Sequence, residues 1–120
     1  MVATVAGRSG LALLFSGSIE DRPTYCAIGS GSGTVSVNNT TLVYEFDRNA
    51  FTLTDSSVIK HVTYTCDFNS IEMSGNVLRE FGIVSSGNTM SGTLWNREGF
   101  TGVTFDGSNE LQIQVDFEIF

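Results

Sequence analysis

Lysine, proline and histidine are almost missing from this chain: Lys60, Pro23 and His61 are the only examples among 120 residues. One lysine and five scattered arginines face 13 acidic side chains, for a formal charge of −7. A phosphate backbone or an anionic bilayer calls for clustered basic residues, so neither nucleic acid nor membrane is expected as a partner. No apolar run approaches the roughly 20 residues of a membrane span. The segment LALLF, with Arg8 as its single early charge, is too short for a secretory leader. Cysteine is scarce as well. Cys26 and Cys66 lack CxxC or metal-site spacing and fall in strand-like segments, which reads as two buried free thiols in a reducing cell interior. Charged residues make up only 16% of a chain that is 41% hydrophobic. That balance leaves some surface for contact with other proteins.

Glycine and phenylalanine are plentiful instead, at 13 and nine. In RPTYCAIGSGSGT, Gly29, Gly31 and Gly33 alternate with serines. No lysine follows and no helical period comes next, so neither phosphate-loop pattern is met. The three glycines read as a structural turn, where the chain leaves a strand and changes sheets. Alternation is strong elsewhere. LVYEFDRNAFTL sets Leu42, Tyr44 and Phe46 against Val43, Glu45 and Asp47. VIKHVTYTCDFNS places Val58, Val62, Tyr64, Cys66 and Phe68 on one face. ELQIQVDFEIF does the same with Leu111, Ile113, Val115, Phe117 and Ile119. EFGIV, TLWNREGF and GVTF read as further short strands. TVAGRSGLALLFSG predicts a short helix ending before Gly17, with Val5, Leu11, Leu14 and Phe15 as its apolar stripe, weakened by Gly7 and Gly10. SIEDRP predicts a turn. The sum is an all-β fold: an antiparallel β-sandwich, jelly-roll-like or a flattened barrel, with the helix covering an open edge. Residues 1–120 form a single domain, and 1–17 its N-terminal arm.

Chemistry-bearing constellations are thin. His61 lies on the polar face of its strand, and no GxSxG elbow is present. DGSNE at 106–110 lacks the calcium-loop spacing and reads as a tight turn. The carboxylate pairs Glu45/Asp47 and Asp116/Glu118 read as solvated. No enzyme activity, cofactor or metal is expected. Arginines inside apolar segments want carboxylate partners, which makes Arg48, Glu45, Glu80 and Arg97 candidates for one or two semi-buried ion pairs. Trp95, between Leu94 and Asn96, reads as core or subunit contact; a sugar-stacking platform built on Trp95, Tyr44 or Phe100 is the alternative. Phe120 is a candidate interface residue.

In sequence order, AGRSGLALLFSG, PTYCAIGSGSGTVSVNNTTLVYEFDR, VTYTCDFNSIEMSGNVLREFGIV, TLWNREGFTGVTF and ELQIQVDFEIF resemble the segments of small β-sandwich tail and appendage proteins of tailed bacteriophages. The likeness spans residues 5–119. Gly29, Gly31, Leu42, Glu45, Arg48, Glu72, Gly75, Leu78, Glu80, Gly82 and Arg97 carry it. Cys26 departs from the Ile or Leu usual there, and no fibrous or repeated stretch is present. The resemblance implies a non-enzymatic virion protein, made in the host cytoplasm, placed in the tail, baseplate or neck and bound to other virion proteins. A homo-oligomer, trimeric by analogy, is implied too. Capsid decoration and a carbohydrate-binding module are the alternatives.

Overall fold

The structure is a computed structural model that describes residues 2–18 and 22–119. Phe120 and residues 19–21 of the SIEDRP turn lie outside the described residues. The elements run β1 (Val2–Ala3), α1 (Val5–Phe15), β2 (Tyr25–Gly29), β3 (Glu45–Ala50), β4 (Leu53–Asp55), β5 (His61–Phe68), α2 (Ser70–Met73), β6 (Val77–Val84), β7 (Leu94–Thr104) and β8 (Leu111–Glu118). They form two antiparallel sheets, ordered β1-β7-β6-β2-β3 and β4-β5-β8. This is a flattened β-sandwich with a short N-terminal helix.

The alternating patterns become the inner faces. β5 and β8 pair in the register Val62↔Phe117, Tyr64↔Val115, Cys66↔Ile113 and Phe68↔Leu111, so the apolar residues of both strands fall on one side. They meet Cys26, Ile28, Phe81, Ile83 and Trp95 of the larger sheet in a single core. The pattern does not extend to Val58, which precedes β5 and is exposed. LWNREGF and GVT, expected as separate strands, form one 11-residue strand.

The larger sheet is buried on its other face too. Residues 30–44, the long connection from β2 to β3, cross that face and lay Leu42 on Ala27, Val84 and Leu94. This corrects the expected role of Gly29, Gly31 and Gly33, because β2 and β3 are neighbours in one sheet. The chain changes sheets at Phe51–Thr52 instead. Phe51 N donates to Thr24 O at 3.2 Å, whereas Thr52 N donates to Thr65 O at 2.8 Å in the other sheet.

The helix is also corrected. Its buried positions are Gly7 and Gly10, whereas Val5, Leu11 and Phe15 are exposed and only Leu14 of the expected stripe packs on the core. Thr4 caps the helix by accepting from Gly7 N at 2.9 Å. A Cβ on Gly7 stands 2.7 Å from Trp95 Cα, and one on Gly10 stands 3.0 Å from the indole. Missing side chains let α1 lie directly on Trp95.

Candidate functional site

Glu80 is wholly buried on the outer face of β6. Its Oε2 accepts from Gly31 N at 2.9 Å and Tyr44 N at 2.8 Å. Its Oε1 accepts from Val43 N at 2.8 Å and Arg97 Nε at 3.0 Å. An ionised carboxylate has about four lone-pair positions, and all are used. Gly29 and Gly31 are glycines because the chain passes against this carboxylate: a Cβ on Gly29 stands 2.7 Å from Glu80 Oε2, and one on Gly31 is closer still. Gly33, at φ +120°, supplies the left-handed backbone of the same loop and meets nothing. Arg97 extends the network, with Nη1 donating to Thr34 O at 3.4 Å and Asn39 Oδ1 at 3.3 Å.

Arg48 and Glu45 form the second pair, bidentate at 2.6 Å for both bonds. Arg48 Nη1 also donates to Ser86 O and Ser91 O, at 2.6 and 3.0 Å. Both ion pairs therefore pin a long connection onto the sheet: residues 30–44 under Glu80 and Arg97, and residues 85–93 under Arg48. Glu45 is not solvated as its sequence context indicates, since its side chain is 1% exposed. Its neighbour in the pattern, Asp47, lies near Glu72, whose carboxylate accepts from Asn49 Nδ2 at 2.6 Å. Burial, then the nearness of Glu72, pushes the Asp47 carboxyl up from its ordinary range.

The remaining candidates are dispersed. His61 Nδ1 lies 2.7 Å from Asp116 Oδ2, and its Nε2 lies 3.6 Å from Glu118 Oε1. Segment 106–110 is a tight turn in which Asp106 accepts from Ser108 N and Oγ. The hydroxyl, and then the amide, holds the Asp106 carboxyl below its usual range. Cys26 and Cys66 are free and buried. The Cys26 thiol is pushed well up by its hydrogen bond with Cys66 and by burial. Trp95 is 8% exposed and belongs to the core, as its sequence context indicates. Among the described residues, no group of His, Cys, Asp and Glu is placed to hold a metal, and no helix is long and apolar enough to cross a membrane.

Sequence reasoning missed an apolar groove. A groove of about 500 Å³ opens between α1 and the segment leading into β5. Gly7, Leu11 and Leu14 form one wall, and Val58 and Ile59 the other. Its floor is aromatic. Trp95, Tyr64 and Phe117 line it, and Tyr64 stands edge-on to Phe117 at 5.8 Å between centroids. Among its lining residues, Ile59, Val58 and Ile119 are 83%, 60% and 59% exposed. The available signal was the pairing of Gly7 and Gly10 with the chain's one tryptophan, which mark a close approach, not a weak helix. The chain matches no protein-family model, and no curated protein is significantly similar to it.

Proposed function

We propose that this chain is a non-enzymatic structural protein of a bacteriophage particle, a tail, baseplate or neck component that works through protein–protein contact. The observation that carries the reading is a pair of open strand edges on a rigidly tied sandwich. Among the described residues, β8 pairs with β5 alone. β7 is flanked by β1 only opposite Asn96 and Arg97, which leaves its second half without a neighbour on that side among the described residues. Long open edges invite strand addition from another chain. The residues that carry the phage-protein resemblance support the same reading. Gly29, Gly31, Glu80 and Arg97 are spent on one loop and Glu45 and Arg48 on another, which is framework, not chemistry. Copies meeting around a symmetry axis, as a trimer by analogy, would close these edges.

Purified particles provide the test. The protein should copurify with them and give ordered density at defined positions, in a few to a few dozen copies. Hundreds of copies per particle would move it to capsid decoration, and absence from particles would end the proposal.

A further inference from the structure

The groove beside α1 combines an apolar interior with a cationic rim. Arg8 and Lys60 line it, and none of its described lining residues is acidic, although acidic residues outnumber basic ones 13 to 6 in the chain. Neither cation forms an ion pair among the described residues. The acidic residues of β8, Asp116 and Glu118, alternate with the groove-lining Phe117 and Ile119 and lie against His61, a lining residue between Lys60 and Val62, at 2.7 and 3.6 Å. Lys60 is fixed where it stands. His61 N donates to Val58 O at 3.1 Å, and Lys60 O accepts from Ile119 N at 2.8 Å. The lysine sits at φ 67°, where glycine is the relaxed choice. Strain retained at a cationic side chain on the rim of an apolar cavity points to use of that side chain.

We propose that the groove binds a free single-chain amphiphile with an anionic head, an alkyl carboxylate. Its chain lies along Leu14, Tyr64, Trp95 and Phe117, and its carboxylate meets Lys60 and Arg8. A volume of about 500 Å³ falls within the range of small-molecule sites, roughly 300–1,000 Å³. The proposal is independent of the virion reading: a particle protein and a non-particle protein are equally open to it.

Trp95 is the only tryptophan and lines the groove, so its fluorescence reports the site alone. The purified full chain is titrated with sodium decanoate, kept below the concentration at which decanoate self-associates. A saturable change is expected, with octanoate weaker by about fourfold per methylene removed, as burial of ~0.8 kcal/mol per CH₂ requires. Decyltrimethylammonium should bind at least about tenfold more weakly, since the rim cations repel its head. Lys60→Gly should lose about tenfold in decanoate affinity while its melting temperature stays level or rises, because glycine relieves the positive φ. Arg8→Gln should weaken binding without changing the fold. No saturable response, equal binding of the cationic analogue, or full affinity in both variants would overturn the proposal. So would cosedimentation with phosphatidylglycerol vesicles in the absence of any response to monomeric decanoate, which would assign the groove to a lipid surface. A groove closed by self-association, seen as a response lost at high protein concentration, would assign it to a second copy and also overturn it.

Discussion

The amide of Gly31 lies 2.9 Å from the carboxylate of Glu80, 49 positions further along the chain. That bond ties the 30–44 connection to the sheet it covers, together with the amides of Val43 and Tyr44 and the guanidinium of Arg97. Glu80→Ala leaves a buried arginine without its counter-charge and three amides without an acceptor. The expected loss is about 3–5 kcal/mol. Replacing both partners with apolar residues, often harmless for a buried pair, should not restore stability here, because the loop amides remain orphaned. Urea unfolding of Glu80→Ala, Arg97→Met and the double variant measures this; a loss below about 1 kcal/mol for Glu80→Ala would contradict it.

Gly7→Ala should destabilise the protein even though alanine is the better helix former by about 1 kcal/mol. The added methyl stands 2.7 Å from the Trp95 backbone, and an overpacked contact of this kind costs about 1–3 kcal/mol. The melting temperature should fall, with a change in Trp95 emission. A rise would show that α1 is not seated on Trp95.

Asp47→Asn should stabilise the protein at neutral pH. The folded-state carboxyl is raised by burial and by Glu72, so its favourable contribution is present below the unfolded value, about 3.9, and is lost as pH rises through the folded one. Asparagine removes that loss and keeps an oxygen for the Arg48 amide, which donates to Asp47 Oδ1 at 2.8 Å. The site is partly exposed, so the gain is below about 1 kcal/mol. Thermal melts at pH 7 and pH 3.5 check it: the gain should appear only at the higher pH.

Cys26 sets the opposite end of the pH range. Its thiol is raised by Cys66 and by burial, so the unfolded chain ionises first, near pH 8.5. Stability should be level below that and fall as pH climbs toward the folded value. Burial raises Tyr64 in the same direction, so Cys26→Ala should reduce the alkaline slope without abolishing it. Both thiols should resist a disulfide reagent until the chain unfolds. Rapid native labelling would contradict their burial.

The sandwich was legible where a strand has one wet face. In β5 and β8 the alternation of side chains is the pairing register itself. Gly7 and Gly10 misled because periodicity counts the side chains that are present, and here their absence makes the contact. Gly29 and Gly31 were legible as special backbone but not in their cause, since Glu80 arrives from a distant strand. The brief helix α2 carried a signal in Asn69 and Glu72. The Asn69 side chain accepts from Glu72 N at 2.8 Å, and an Asn with a Glu three residues on marks a helix start. Charges inside β3, β6 and β7 showed that partners were needed; which loop each pair would pin depended on the fold.

A reconstruction of purified particles tests the proposed role most directly. Ordered density for this sandwich at defined positions, with β8 or the second half of β7 against another copy or another virion protein, is the predicted result. Particles that lack the chain, or hold it with both strand edges facing solvent, would contradict it.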